Sequence, residues 1–430
     1  MTPPEVSREV SRGHAPLWVF FALAAGPAIA LGFARFAYAL ILPAMMHRLG
    51  WSLTMAGAMY TANAAGYLAG ALVAPWYTVR LGAAQAFLWG LILTAMALFG
   101  TALTDNQVVL ALFRLMSGVA GGVTFVVGGG LVAQASAGAS ARRAALWLGI
   151  YFSGAGLGII LSAGTVPLVL VSLPPAIAWR LAWALLGGLG LLTLMGVVPA
   201  LRQLAHVAHA ESRGSRSHQV PGLVRRLRGV FIAYGLYGAG YIVYMTFIVA
   251  FLHGQQVAPG EIVEFWTVLG SAAWASAFLW GGFLGRARGG RGVAGLIGLV
   301  VGGVLLPLWS TTPLAILGSA VLFGSAFLGV VTAVTTVARR NLPAALWTPA
   351  LAYLTVAFGL GQSIGPLLSG LVSNGPGGIR SGLALSAALL ILGALAALTQ
   401  RDVTPDSKAV GTPVGMESSC PEGSIRRDLS

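Results

Sequence analysis

Residues 17–46 read LWVFFALAAGPAIALGFARFAYALILPAMM, and Arg35 is the only charged side chain in this stretch. A helix rises about 1.5 Å per residue, so an apolar run of this length can cross the roughly 30 Å hydrocarbon core of a bilayer. The run is far longer than the apolar region of a secretory signal peptide, which has roughly 7 to 15 residues. The stretch therefore predicts an uncleaved transmembrane helix near the N-terminus.

The composition of the whole chain extends this prediction. Of the 430 residues, 57% are hydrophobic and only 8% are charged, whereas a soluble domain has roughly 25% charged residues. Long apolar runs stand where an outer-membrane barrel would have short alternating strands, so both a soluble fold and a barrel are excluded. We expect an all-α membrane protein with twelve transmembrane helices. Polar clusters place the spans at about 17–46, 53–77, 83–103, 106–135, 144–171, 178–200, 229–253, 262–284, 293–309, 313–337, 344–373 and 381–399.

The two halves of the chain resemble each other in sequence. GFARFAY at 32–38 resembles GLYGAGY at 235–241, and GAGLGIILS at 154–162 resembles GQSIGPLLS at 361–369. Such a repeat indicates two pseudo-symmetric six-helix bundles, separated by the longest interior polar segment. The predicted parts are a cytoplasmic N-terminal tail (1–16), a six-helix bundle (17–200), a cytoplasmic central loop (201–228), a second six-helix bundle (229–399) and a disordered cytoplasmic tail (400–430).

The basic residues predict the orientation of the chain. Of the Lys and Arg residues in the loops and the two tails, twenty fall on the side of the N-terminus and three, Arg48, Arg180 and Arg380, on the other side. Positive residues favour the cytoplasmic side, so both termini and the central loop are expected in the cytoplasm. Topology accounts for the net charge of +14, and no nucleic-acid partner is expected.

Several motifs resemble those of the major facilitator superfamily (MFS). LALFRLMSGVAGG at 110–122 in span four is similar to its fourth-helix motif, and GQSIGPLLSG at 361–370 in span eleven is similar to its Gly-Pro motif. GFARFAYALILPAM at 32–45, TANAAGYLAGAL at 61–72 and AFGLGQSIGPLLSG at 357–370 resemble the YbfB/YjiJ-type branch of bacterial facilitators. The resemblance implies a transporter of the bacterial inner membrane, in which two bundles rock around a midplane site.

Two charged side chains lie deep in the predicted spans, Arg35 in span one and Arg114 in span four. Helix rise places them roughly 16 Å and 12 Å from the non-cytoplasmic ends of their spans, at similar depth. None of the eleven acidic residues lies deep in a span. We interpret the arginines as an anion-binding pair, because a guanidinium matches a carboxylate or phosphate bidentately. The alternative is that Arg114 bonds backbone carbonyls and fixes helix packing.

Uncharged polar residues around the same level extend the candidate site. Tyrosines and amides combine apolar area with hydrogen-bonding groups that would contact the rest of a ligand. Two pairs are spaced four residues apart, one on span two and one on span seven, so each pair shares a helix face. Ordinary helix packing is the alternative for each residue. The candidates are Tyr38, Asn63, Tyr67, Tyr237, Tyr241 and Gln362.

The predicted function is secondary active transport of a small organic anion or amphipathic compound by alternating access. The alternative is efflux of drugs or neutral metabolites on the same fold. Glu264, about one turn inside span eight, is the candidate for proton coupling, which stays open beside uniport and anion exchange. An HExxH pair is absent from the sequence, and no enzyme, catalytic residue, cofactor or metal site is expected. We expect a monomer whose partners are the substrate and the lipid bilayer.

Overall fold

The computed structural model describes residues 15–136, 139–207, 226–343 and 346–402, and these residues form helices without a strand. This architecture confirms the expected all-α class. Of the predicted tails and central loop, residues 1–14, 208–225 and 403–430 lie outside the described residues. The twelve long helices are α1 (Leu17–Leu49), α2 (Leu53–Leu81), α3 (Ala83–Ala102), α4 (Gln107–Ala135), α5 (Ala141–Ser172), α6 (Pro175–Leu192, continued by Leu194–Val207), α7 (Arg228–Gly254), α8 (Pro259–Leu279, continued by Gly281–Arg286), α9 (Arg291–Trp309), α10 (Pro313–Asn341), α11 (Trp347–Ser373) and α12 (Gly378–Leu398).

Helix starts follow from local side-chain chemistry. Serine or asparagine at the position before a helix accepts hydrogen bonds from backbone N–H groups that the first turn leaves unpaired. Proline fits the first helical position, where its missing N–H costs no hydrogen bond. The capping residues of α2, α4 and α5 are Ser52, Asn106 and Ser140, and the first residues of α6, α8 and α10 are Pro175, Pro259 and Pro313.

Eleven of these helices are long and apolar enough to cross a membrane, judged by length and composition over the described residues. The exception, α2, has 29 residues but carries Thr61, Asn63 and Tyr67 in its middle, which lowers its mean hydropathy. Large apolar side chains are exposed on every helix, as on Leu112 and Leu392. A soluble protein rarely exposes so much contiguous apolar surface, so this surface fits contact with lipid.

The helices form two bundles, α1–α6 and α7–α12. Ala15, before α1, and Asp402, after α12, lie on the same side of the bundled helices. We call this side the terminal face and the other side the opposite face. Extensive contacts between the bundles, over the described residues, join α2 to α11, α5 to α8 and α1 to α7. Three hydrogen bonds of the described residues cross between the bundles. They run from Thr61 Oγ1 to the Ser363 carbonyl (2.7 Å), from Trp266 Nε1 to Ser162 Oγ (3.3 Å) and from Asn374 Nδ2 to Thr54 Oγ1 (2.6 Å).

In the first bundle, α1 and α5 touch backbone to backbone. Gly154 packs on the carbonyl of Ala24 and Gly158 on that of Ala28, and a Cβ at either glycine would overlap the facing backbone. Small residues four apart allow this close approach between membrane helices. The contact fixes α1 against α5 along the segment that leads to Arg35.

The second bundle repeats the arrangement between α7 and α11. Gly361 packs on the carbonyl of Gly235 and Gly365 on that of Ala239, again without room for a Cβ. These contacts make Gly235 and Ala239 the counterparts of Ala24 and Ala28. By the same register Tyr241 corresponds to position 30, so the packing does not support the sequence pairing of Tyr241 with Tyr38.

Gln400 ties the end of the second bundle to its beginning. Its side-chain Nε2 donates to the carbonyl of Arg226 (3.0 Å), and its Oε1 accepts from the backbone N–H of Val230 (3.4 Å). Its own carbonyl accepts from the N–H of Gly290 (3.0 Å), between α8 and α9. The residue is buried, so the terminal face of the second bundle is held together at one point.

Candidate functional site

The candidate site begins with an irregular stretch of α1. Residues Ala28–Phe36 form a π-helix of nine residues, and the N–H of Ala37 donates to the carbonyl of Gly32 (2.8 Å). Such wide turns are rare and are frequently found at functional sites. The only hints of this feature in the sequence are Gly26, Pro27 and Gly32, which weaken a regular α-helix. Arg35 lies near the end of the π-helix.

Arg35 is buried with little compensation for its charge. Its side chain is 2% exposed, Nε donates a long hydrogen bond to Asn63 Oδ1 (3.4 Å), and Nη2 has no partner among the described residues. The guanidinium lies over the rings of Tyr67 (4.4 Å to the centroid) and Tyr60 (5.9 Å). Cation–π contacts of this kind contribute about 0.5–2 kcal/mol, less than the several kcal/mol that an unpaired buried ion costs.

Arg114 is more firmly held than Arg35. Its Nη1 donates to the carbonyl of Ala34 (2.8 Å), and its guanidinium lies over the rings of Tyr38 (4.7 Å) and Trp183 (5.1 Å). Nε and Nη2 have no partner among the described residues. The bond to Ala34 is a contact of the kind that the packing alternative predicts, and it leaves two guanidinium nitrogens without a partner among the described residues. The carbonyl that it binds precedes Arg35, so Arg114 also fixes the end of the π-helix.

Asn63 connects the two arginines. Its Oδ1 accepts from Arg35, while its Nδ2 donates to the carbonyl of Arg114 (3.2 Å) and to Ser117 Oγ (3.0 Å). The side chain is fully used and 1% exposed. The structure thus brings Arg35, Arg114 and Asn63 together, and the hydrogen bonds of Asn63 link α1, α2 and α4.

Aromatic rings form the side of the site that belongs to the second bundle. Tyr237 and Tyr241 stack at 4.9 Å with an interplanar angle of 13°, and Tyr241 and Phe358 stack at 5.6 Å and 7°. Gln362 Nε2 donates to the hydroxyl of Tyr241 (2.6 Å), while Gln362 Oε1 is buried without a partner among the described residues. Tyr241 stacks on Phe327 (6.2 Å), and Phe327 meets Phe36, the residue after Arg35, edge-on (5.8 Å), so these rings adjoin the segment that carries the arginine.

Two of the predicted tyrosines have hydroxyls that are occupied by packing. Tyr38 donates to the carbonyl of Ala56 (2.9 Å), and Tyr237 donates to the carbonyl of Phe327 (2.5 Å). Both are buried, and each joins two helices. Their rings still line the site through Arg114 and Tyr241.

Glu264 lies apart from the other candidates. It is the sixth residue of α8, close to the opposite face, and its side chain is exposed. The acidic residues within the described ranges are Asp105, Glu261, Glu264 and Asp402, all near helix ends. An ion pair of the described residues joins Asp105 to Arg180 (2.6 Å) at the opposite face. His, Cys, Asp and Glu side chains come together nowhere in the described ranges as a group able to hold a metal.

Sequence reasoning missed several aromatic residues of the site. Tyr60 is fully buried below Arg35 with an unpartnered hydroxyl, and Phe358 stacks on Tyr241. Phe327 meets Phe36 edge-on at 5.8 Å and so links the second bundle to the π-helix. Their only signal would have been four-residue spacing to a polar candidate, as between Phe358 and Gln362.

Residues 27–398 match the protein family described as uncharacterised MFS-type transporter YbfB. The chain belongs to this family. As a YbfB-type MFS protein it is a multi-pass membrane transporter, which confirms the family resemblance seen in its motifs. A search of curated proteins gives no match.

Solved structures of other transporters share the fold of this YbfB-type chain. The chain is similar to a D-xylose-proton symporter (13% identity, TM-score 0.69, covering 90% of this chain and 98% of that one). It is also similar to the nucleoside transporter NupG (15%, 0.67, 89% and 97%) and to a bacterial homologue of the human lysosomal transporter Spinster in an inward-facing, unoccupied conformation (17%, 0.63, 90% and 99%). Identities this low establish the shared MFS fold alone.

Proposed function

We propose that this YbfB-type protein is a secondary transporter of small organic anions, and that Arg35 holds the anionic group. One observation carries the proposal: Arg35 is buried beside Asn63, Tyr60 and Tyr67 with one nitrogen unpartnered and no carboxylate near it among the described residues. A buried charge without a partner is costly, and intramembrane ionisable residues mark substrate pathways by default. An anion would supply the missing partner and release this cost on binding.

Arg114 supports the same role. Its Nε and Nη2 are buried and unpartnered among the described residues, and its Nη1 binds the carbonyl of Ala34, the residue before Arg35. Two cations near each other raise the local attraction for an anion, since electrostatic interactions are strong in a low-dielectric interior. The bond from Arg114 to Ala34 keeps this second charge in place while Arg35 engages the ligand.

The packing of the bundles supports alternating access. Contacts between α2 and α11, as from Thr61 to Ser363, and between α5 and α8, as from Trp266 to Ser162, lie between the opposite face and mid-depth. They would close the site towards the opposite face. We propose that the terminal face is cytoplasmic in the inner membrane of a bacterium, as the basic residues predict, and that the transporter works as a monomer.

The anion proposal is tested by ligand-induced stabilisation of the purified protein. The probes are organic carboxylates, organic phosphates, organic cations and neutral drugs, each measured on wild type and on the Arg35→Gln variant. The matched control is Arg180→Gln, which removes the half-buried arginine of the ion pair with Asp105 at the opposite face. A ligand at 100 times its Kd adds about 2.7 kcal/mol to the folded state.

We expect anions to stabilise wild type and Arg180→Gln, and to lose their effect on Arg35→Gln. Stabilisation by cationic or neutral compounds alone, undiminished in Arg35→Gln, would overturn the proposal. That result would favour the alternative of drug or neutral-metabolite efflux, with the stacked rings of Tyr241 and Phe358 as the binding surface.

Proton coupling through Glu264 is tested separately in proteoliposomes. The rate of anion uptake is measured across a pH gradient for wild type and for Glu264→Gln, with Glu261→Gln as the neighbouring control. Coupling through Glu264 requires that the gradient drive uptake in wild type and in the control but not in Glu264→Gln. Uptake that ignores the gradient in all three proteins would leave anion exchange or uniport as the mode of transport.

A further inference from the structure

We propose that the anion is a planar aromatic monocarboxylate that carries a hydrogen-bond donor on its ring, such as a hydroxyl or amino group. This inference rests on the proposed function, because it takes the carboxylate at Arg35 as given. It adds the shape of the ligand and the group at its other end. Three independent features of the site support it.

The first feature is the set of parallel rings on the second bundle. Tyr241 is parallel to Phe358 within 7° and to Tyr237 within 13°, and Tyr234 is parallel to Tyr237 within 3°. These rings stack on one another, and a further planar ring extends such a stack in the offset geometry that aromatic pairs prefer. The hydrogen bond from Gln362 to the Tyr241 hydroxyl prevents this ring from turning away. A flat ligand fits this surface best.

The second feature is the unpartnered acceptor next to those rings. Gln362 is 1% exposed, its Nε2 is taken by Tyr241, and its Oε1 has no donor among the described residues. A buried acceptor without a donor is unfavourable. The ligand therefore needs an O–H or N–H group at its end near Gln362, while its carboxylate meets Arg35. The hydroxyl of Tyr60 is also unpartnered among the described residues, and the ring that carries it lies 5.9 Å from the Arg35 guanidinium.

The third feature sets the number of carboxylates at one. The two arginines with unpartnered nitrogens, Arg35 and Arg114, both belong to the first bundle and meet at one end of the site, where Arg114 binds the carbonyl that precedes Arg35. On the second bundle the groups that face this region are tyrosines, phenylalanines and the Gln362 amide, none of which is cationic. A second carboxylate placed against these rings would be desolvated without a counter-charge. Monocarboxylates are therefore preferred over dicarboxylates.

The test measures the Kd values of the purified protein for five probes of similar size. Four are monocarboxylates, namely para-hydroxybenzoate, meta-hydroxybenzoate, benzoate and cyclohexanecarboxylate, and the fifth is the dicarboxylate isophthalate. We expect the better hydroxybenzoate to bind roughly 10-fold more tightly than benzoate, because benzoate leaves Gln362 Oε1 unpaired. Benzoate should bind roughly 3-fold or more tightly than cyclohexanecarboxylate. Isophthalate should bind most weakly of the five.

Two variants assign these differences to residues. In Gln362→Leu the hydroxybenzoate and benzoate affinities should become equal, because the acceptor is gone. In Phe358→Leu the preference for benzoate over cyclohexanecarboxylate should disappear, while the hydroxyl preference stays. The matched control is Tyr353→Leu on the same helix, whose side chain is exposed and whose loss should change none of the ratios.

The outcomes separate this inference from the proposed function. Equal affinity for cyclohexanecarboxylate and benzoate, or a hydroxyl preference that survives Gln362→Leu, would overturn the aromatic assignment. If binding still vanished in Arg35→Gln, the anion site would stand with an aliphatic ligand. If none of the carboxylates bound in an Arg35-dependent manner, both this inference and the proposed function would fail.

Discussion

The first bundle brings charge to the site, and the second bundle brings aromatic rings. Arg35 and Arg114 come from α1 and α4, whereas Tyr241, Phe358 and Gln362 come from α7 and α11. The backbone packing of the two bundles is nevertheless the same, with paired glycines of one helix seated on carbonyls of another. Duplication has kept the contacts that hold helices together and has changed the side chains that meet a ligand.

The shared packing predicts the largest effect. Gly158→Ala and Gly365→Ala each place a Cβ against the backbone of a neighbouring helix, and we expect each to lower the free energy of unfolding by about 3 kcal/mol or more. Thermal unfolding of the detergent-solubilised protein measures both. A large loss in one bundle only would break the structural equivalence of the halves.

The control for these variants is Gly164→Ala, in the same helix as Gly158. A Cβ at Gly164 meets nothing within 4 Å, so this change should be neutral or add up to about 1 kcal/mol through helix propensity. Destabilisation by Gly164→Ala would show that the loss at Gly158 is not due to helix contact.

Within the first bundle, substitution of the two arginines should change the stability of the protein in opposite directions. Arg114→Met leaves the Ala34 carbonyl unpaired and should lower stability by about 2 kcal/mol. Arg35→Met removes a buried, poorly paired charge and should raise the stability of the ligand-free protein by about 1 kcal/mol. Unfolding midpoints without ligand measure both. If Arg35→Met is the more destabilising variant, Arg35 has a structural role and the division of labour proposed here is wrong.

Within the second bundle a single hydroxyl should have a moderate effect. Tyr237→Phe removes the bond to the Phe327 carbonyl between α7 and α10 but keeps the ring stack. Hydrogen bonds between membrane helices contribute about 0.6 kcal/mol on average and at most about 1.7. We expect a loss in this range with unchanged ligand affinity. A large change in affinity would place the Tyr237 hydroxyl in the binding site.

We expect the smallest effect from loss of one hydrogen bond between the bundles at the opposite face. Asn374 Nδ2 donates to Thr54 Oγ1 (2.6 Å), and Thr54→Val removes this exposed bond, for about 0.5 kcal/mol. The population open at that face should rise roughly 2-fold. Spin labels on cysteines placed at Arg48 and Gly375, in a Cys420→Ser background, report the distance between the bundles.

The control is Thr78→Val near the other end of the same helix, where the hydroxyl bonds only to the Ala74 carbonyl of α2 itself. Thr78→Val should leave the distance distribution unchanged. An equal shift in both variants would mean that the change arises within α2 and not between the bundles.

Much of the fold was predictable because apolar length alone marks a membrane helix. The predicted spans lie within several residues of the observed helices, and the larger differences occur where a helix continues into polar sequence. The sixth helix, for example, runs to Val207 instead of ending near residue 200. The apolar run of the sequence ends at the membrane surface, whereas the backbone hydrogen bonds of the helix continue beyond it.

The site was predictable only where a residue is unusual for a membrane. Arg35, Arg114 and Asn63 stand out in apolar spans, and the structure brings them together. Tyr60 and Phe358 look like any other apolar or aromatic residue of a span, so their roles depend on which helix faces which. The π-helix was invisible for a similar reason, since its hydrogen-bond register is set by packing against α5.

The hydrogen bonds of Gln400 close the second bundle into a ring of six helices. This residue follows α12 and binds the first turn of α7 and the loop before α9. A chain shortened to end after Asp402 would keep this ring intact. A chain ending at Leu398 would open it, and the N–H of Val230 and the carbonyl of Arg226 would lose their partners. The contacts of the bundle reach residue 402, where Asp402 Oδ1 accepts a hydrogen bond from Asn341 (3.5 Å), so affinity tags or fused reporters belong beyond it.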